Sequence, residues 1–156
     1  MCGIAGWLDF ETDIARNDAV LETMSKTLER RGPDSHGEYK FTEGCLLHRR
    51  LAVIDPQNGL QPMTRMNGDA SYTITYNGEL YNTEELRHDL AARGYEFTTR
   101  SDTEVLLASY IEWGEACLER LNGIYAFAVW NSEKKELFAA RDRIGVKPFF
   151  YYVYKN

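Results

Sequence analysis

The sequence predicts an α+β domain built in layers, on three observations. Two groups of strand-like segments flank a helical middle, the strand-like segments are dense in β-branched and aromatic residues, and the helices stand together instead of alternating with single strands. A doubly wound parallel sheet would need regular alternation. The length of 156 residues fits one domain with a sizeable core. A hydrophobic content of 44%, with 13% aromatic residues, excludes disordered and low-complexity classes. There is no internal repeat and no linker-like tract.

The elements follow in order. Gly3 to Phe10 (GIAGWLDF) alternates loosely between small or polar and apolar residues and reads as a strand with Cys2 at its mouth. Asn17 to Arg30 places Val20, Leu21, Met24 and Leu28 on one helical face, and Arg31-Gly32-Pro33-Asp34 stops it. His36 to Phe41 and Cys45 to Ile54 read as paired strands, the second ended by Asp55-Pro56, and Asn58 to Ala70 as a polar connection. Ser71 to Tyr76 (SYTITY) is a strand that should end in a sharp turn at Asn77-Gly78. Asn82 with Glu85, and Ser101 with Glu104, have capping-box spacing, while Gly94 and Gly114 stand where helices stop. Helices over 83–93 and 102–113 result. From Gly123 the pattern returns to strands: IYAFAVWN, a turn at Ser132 to Lys135, ELFAAR, and PFFYYVYK. That last run breaks off without a closing strand, so the domain is expected to be truncated at its C-terminus.

A net charge of -6, from 18 Lys and Arg against 24 Asp and Glu, argues against a phosphate-backbone binder, and no nucleic-acid partner is expected. No apolar stretch reaches the about 18–20 residues that cross a bilayer, and the first residues lack a basic, then apolar, leader. A cytoplasmic protein without membrane contact is expected. Three cysteines, Cys2, Cys45 and Cys117, with no CxxC pair, encode neither a disulfide framework nor a zinc site, and no metal is expected.

Cys2 follows the initiator Met1 and is small enough to permit its removal, which would place an α-amine and a thiol on one residue. The unperturbed pKa values of the two groups, about 7.7–8 and about 8.5, are close enough for the amine to serve as the thiol's base. By position alone Cys2 reads first as a small buried residue near a chain end.

The segments MCGIAG, RRGPD, HRRLAVID, NGELYN, SDTEV and ARDRIGVKPFFYY occur in this order from positions 1, 30, 48, 77, 101 and 140. Together they resemble the class II glutamine amidotransferase domain over essentially the whole chain, most nearly the glutaminase domain of glutamine-hydrolysing asparagine synthetases. The resemblance implies the N-terminal nucleophile hydrolase fold, a sandwich of two antiparallel sheets between helical layers. It implies catalytic roles for Cys2, as nucleophile, and for Asn77 and Gly78, whose side-chain amide and backbone N–H hold the oxyanion formed on attack at an amide. It implies Arg50 on the carboxylate of L-glutamine, Glu79 and Asp102 on its ammonium, and Leu51, Val53 and Ile54 lining the pocket. Taken singly, Asn77-Gly78 reads equally as a hairpin turn, while Arg50 reads first as a strand-surface charge and Asp102 as a first-turn acid. Arg49 should face away from Arg50, and His36, His48 and His88 show no motif linking them to Cys2.

The resemblance further implies that ammonia passes to a C-terminal synthetase domain of a longer chain, which would use ATP and Mg to activate aspartate. No cofactor is expected in these 156 residues, which hold no pyrophosphate loop. Homodimer formation is a family trait. The alternatives are the glutaminase domain of another class II amidotransferase and a non-catalytic glutamine-binding regulatory module.

Overall fold

The longest strand, Ala70–Leu80, organises the molecule, because both its faces are covered and both its edges are used. The computed structural model describes residues 1–52, 55 and 57–154. Among these, the order is β1 (Gly3–Leu8), α1 (Asp18–Thr27), β2 (Ser35–Phe41), β3 (Gly44–Arg50), β4 (Met63–Asn67), β5 (Ala70–Leu80), α2 (Thr83–Ala92), α3 (Asp102–Trp113), β6 (Gly123–Asn131) and β7 (Glu136–Arg141), with 3-10 turns at Ile14–Arg16 and Gly114–Glu119. A three-stranded sheet has the order β1-β3-β2 and a four-stranded sheet the order β4-β5-β6-β7; every pairing is antiparallel.

The two sheets stack face to face. Alternation along β3 sends Leu46, His48 and Arg50 to one face and Cys45, Leu47 and Arg49 to the other. The first set meets the four-stranded sheet: Leu46 packs with Ala128 and Trp130, Phe41 stacks on Trp130 with ring centroids 4.2 Å apart, and the Thr75 hydroxyl donates to the Leu47 carbonyl at 3.2 Å. The second set meets α1, where Cys45 and Leu47 pack with Ile14 and Leu21. On the outer face of the other sheet, Ile74, Tyr76, Phe127 and Val129 pack against Leu86 and Leu90 of α2 and Val105, Leu106 and Leu107 of α3. This is the predicted sandwich with helices on both outer faces.

Helix α3 has the predicted bounds. The Ser101 hydroxyl accepts from Thr103 N–H at 3.2 Å, and Gly114, at φ 57°, stops it in a conformation that costs other residues strain. Elsewhere local signals lose to tertiary pairing. Asn77-Gly78 is not a turn: β5 runs through it to Leu80, held by a ladder to β6 that pairs Gly78 with Tyr125. Glycine is needed there for clearance, since a Cβ would lie 2.3 Å from the Ile124 carbonyl oxygen. The Asn82 side chain does not cap α2; it donates to Arg120 O and accepts from Asn122 N–H, tying the start of α2 to the approach to β6. β4 forms inside the expected polar connection. β1 stops at Leu8, where the Asp9 carboxylate gathers the N–H groups of Glu11 and Thr12. α1 ends at Thr27 and leaves Val20 exposed. Residues 148–154 form no strand: they pair with no strand among the described residues, and Phe150, Tyr151 and Tyr152 are exposed.

Candidate active site

At one end of the sandwich, where β1 starts and β3 and β5 finish, the two sheets leave a cavity of about 190 Å³. Pockets for drug-sized ligands run to roughly 300–1,000 Å³, so this one suits a smaller molecule. Its wall includes Cys2, Arg50, Leu51, Asn77, Gly78, Glu79 and Asp102. Seven of the nine residues expected in the site therefore meet in one place; Val53 and Ile54 lie outside the described residues. Gln61, Tyr76, Thr103 and Lys147 also line it, and sequence reasoning had not placed them there.

The three-stranded sheet supplies the thiol and the guanidinium. β1 pairs Gly3 with Arg49, and one further step in that register sets Cys2 beside Arg50 on the face turned to the other sheet. The Cys2 thiol donates to the Leu51 carbonyl at 3.7 Å, and Arg31 Nε donates to the Cys2 carbonyl at 3.2 Å. Arg50 is buried, and one of its NH2 groups donates to Asp55 O at 2.7 Å. A loop clasps this strand end: Asp34 N–H donates to Arg50 O at 3.0 Å, and the Asp34 carboxylate accepts from Ala52 N–H at 2.8 Å. The clasp closes because Gly32 lies against β3, where a Cβ would sit 2.2 Å from Arg49 backbone atoms. That gives the RRGPD motif a physical task. Arg49 points away as expected, donating to Ser25 Oγ at 2.9 Å.

The four-stranded sheet supplies donors and acids along one strand edge. Successive N–H groups of a strand point to alternate edges. Tyr76 N–H donates to Gln61 Oε1 at 2.6 Å, and Leu80 N–H donates to Asp102 Oδ2 at 3.3 Å, both on the edge away from β6 beyond the end of β4. The Gly78 N–H lies between them on that same edge, beside the cavity. The Asn77 side chain is buried on the face turned to Cys2, and its carboxamide makes no hydrogen bond among the described residues. The thiol thus looks across at two amide donors of different kinds.

Asp102, at the first turn of α3, accepts from Tyr76 OH at 2.9 Å. Burial pushes its carboxyl above the usual range, and the hydrogen bonds from Tyr76, Leu80 and Thr103 only partly oppose that. Such a group gains from a cation in the cavity. The Tyr76 hydroxyl is pushed well above its ordinary value by burial and by Asp102, so it stays a donor. Glu79 is exposed at the rim. Gln61 Nε2 donates to Thr103 Oγ1 at 3.1 Å, so one side chain bridges β5 and α3.

The histidines stand apart. His36 and His88 are exposed; His48 is 1% exposed, its Nε2 3.1 Å from Tyr76 O and its Nδ1 unpartnered. Burial, reinforced by Arg50, takes His48 down to about 4, so it is neutral at pH 7. Cys45 and Cys117 are buried, and burial pushes both thiols up, Cys117 to about 12. No group of three or more His, Cys, Asp or Glu among the described residues could hold a metal ion, and no helix among them is long and apolar enough to cross a membrane.

Two stacked antiparallel sheets, with the second residue of the chain at their open end, define the class of N-terminal nucleophile amidotransferases. The fold is similar to that of glutamine phosphoribosylpyrophosphate amidotransferase from B. subtilis complexed with ADP and GMP, with a TM-score of 0.59 and 30% identity over 70% of this chain and 25% of that one. The chain belongs to the glutamine amidotransferase domain family, whose model matches residues 1–156. It is 54% identical over 151 residues to asparagine synthetase [glutamine-hydrolyzing] 3 of Bacillus subtilis (strain 168), covering 97% of this chain and 25% of that protein. To asparagine synthetase B [glutamine-hydrolyzing] of Escherichia coli (strain K12) it is 37% identical over 150 residues, 96% of this chain and 26% of that protein. The chain spans about a quarter of the length of the curated relatives it matches.

Proposed function

We propose that this chain is a glutaminase that works through Cys2 once Met1 is removed. The Cys2 α-amine takes the thiol proton, and the resulting thiolate attacks the side-chain amide carbon of L-glutamine. The oxyanion is held by the Asn77 carboxamide and the Gly78 N–H. Collapse of the intermediate breaks the C–N bond, the α-amine returns its proton to the leaving nitrogen, and ammonia departs. Water then hydrolyses the thioester to glutamate and restores the thiol. Arg50 grips the α-carboxylate through its planar fork, Asp102 and Glu79 take the α-ammonium, and Leu51 closes the wall. Pairing both ends of the head group excludes amides that lack one, because an unmatched buried charge is costly.

The observation that carries this reading is the convergence of the thiol, two amide donors, a guanidinium and two acids on one cavity of amino-acid scale. Its likeness to glutamine-hydrolysing asparagine synthetases supports a longer chain, in which the ammonia goes to a synthetase domain that uses ATP and Mg on aspartate, in the cytoplasm and as a homodimer. None of those steps is assigned to residues described here. The test is glutamate release by protein shown by mass spectrometry to lack Met1, set against Cys2→Ala. A loss of at least about a thousandfold is expected in the variant, and a diazoketone analogue of glutamine should label Cys2 only when glutamine is absent. Equal rates would sink the reading; glutamine binding without turnover would favour a regulatory module.

A further inference from the structure

One buried charge in the pocket wall has no part in the scheme above. Lys147 is 8% exposed and lines the same cavity as Cys2. Among the described residues its ammonium meets no carboxylate; Nζ donates to Met1 Sδ at 3.2 Å. A lysine stem is long enough to carry its charge out to water, and an unpaired buried ammonium is costly, so its inward course needs a cause.

The cause is the turn that follows β7. The Asp142 carboxylate accepts from Val146 N–H at 2.8 Å, Lys147 N–H at 2.9 Å and Tyr125 N–H at 3.3 Å. Gly145, at φ 70°, donates to Asp142 O at 3.0 Å and accepts from Arg141 NH2 at 2.8 Å. The loop is thereby bolted to β6, with Lys147 directed at the N-terminal residue.

We propose that Lys147 is a positioning residue for the nucleophile: its positive charge, delivered to within one residue of Cys2, keeps the α-amine exposed by Met1 removal in its neutral, proton-accepting form. Like charge disfavours the protonated amine, so the effect acts in the useful direction. Other charges face the same spot from every neighbouring element: Arg31 after α1, Arg50 on β3, Tyr76 and Glu79 on β5, Asp102 on α3 and Asp142 in the turn. Asp142 is occupied by backbone N–H groups, Arg31 by the Cys2 carbonyl, Arg50 by Asp55, and Asp102 by Tyr76 and Leu80. Lys147 is the cation in this set whose nearest partner is Met1, the residue that processing takes away.

The inference rests on the glutaminase reading, and the experiment separates the two. Lys147→Met and Lys147→Gln, with Lys147→Arg as the charge-preserving control, are compared with the unaltered protein, all lacking Met1. Two pH profiles are measured: kcat/KM for glutamate release, and the rate of Cys2 alkylation by iodoacetamide. Both neutral variants should move the acid limb upward by roughly half to one pH unit and slow release at pH 7 about three- to tenfold. The KM for glutamine should stay within about twofold, and the arginine variant should keep the original limb. An unmoved limb in the neutral variants, or the same displacement in the arginine variant, would overturn the proposal and leave Lys147 a structural residue. If no form releases glutamate, the glutaminase reading fails, while the alkylation profile, which needs no turnover, still decides on Lys147.

Discussion

The two sheets are built to different thicknesses. The four-stranded sheet is backed by α2 and α3 over a continuous core from Ile74 to Val129, whereas the three-stranded sheet is backed by one ten-residue helix over a small cluster around Leu21 and Leu47. Each lends half of the pocket. The thick sheet presents Asn77, Gly78 and Asp102 from a strand and helix locked by apolar packing. The thin sheet presents Cys2 and Arg50 from strand ends held by polar clasps, namely Arg31 on Cys2 O, Asp34 on Ala52 N–H and Asp55 O under Arg50. Apolar burial sets overall stability, while directional hydrogen bonds set placement, so damage to the two halves should be felt in different measurements.

The largest effect expected from breaking this contrast lies in the thick core. Leu106→Ala removes a side chain with no solvent exposure from the α3 layer and should cost about 3–5 kcal/mol in urea unfolding. Leu21→Ala, in the small cluster, should cost about 2–3 kcal/mol, because α1 at the surface can settle into the gap more easily. Equal losses would show that the two layers contribute alike.

A smaller effect sharpens the contrast at the seam between the sheets. His48 reaches from β3 to the Tyr76 carbonyl of β5 and is held near 4 when folded, while an unfolded histidine titrates near about 6.5. Between those values the unfolded chain takes up the proton and the folded one does not, so this contribution is complete above about pH 6.5 and falls as the pH drops toward 4. The expected loss by pH 4.5 is on the order of 2–3 kcal/mol. His48→Gln should flatten that part of the profile in urea melts at pH 7 and 4.5. The smallest effect is on a clasp: Asp34→Ala should cost only about 1 kcal/mol of stability, yet raise the KM for glutamine about tenfold by loosening the strand end that carries Arg50. A stability loss with no change in KM would show that the clasp does not place the guanidinium.

Much of this could be seen in the sequence wherever a local signal and the tertiary environment agree. Ser101 and Gly114 bound α3 because nothing competes for either residue, and the alternation in β3 correctly separates Arg49 from Arg50. Three failures share a cause. The turn preference of Asn77-Gly78 yields to the ladder with β6, the Asn82 cap yields to bonds with Arg120 and Asn122, and the strand preference of PFFYYVY comes to nothing without a pairing partner among the described residues. Of the site residues, those in the recognised motifs were found and their supports were not. Gln61 and Tyr76 act through long-range contacts that leave no local pattern. Lys147 stood in a quoted motif, but a lysine in a sequence gives no sign that it is buried.

The two interior thiols have a practical consequence. Cys45 and Cys117 are sealed in packed layers and held in the unreactive, protonated state, which leaves the chain with a single thiol, Cys2, open to a mild electrophile in water. Moles of label per mole of chain therefore count accessible Cys2 thiols directly. A value above one would report melting of the interior, before any assay of turnover is run.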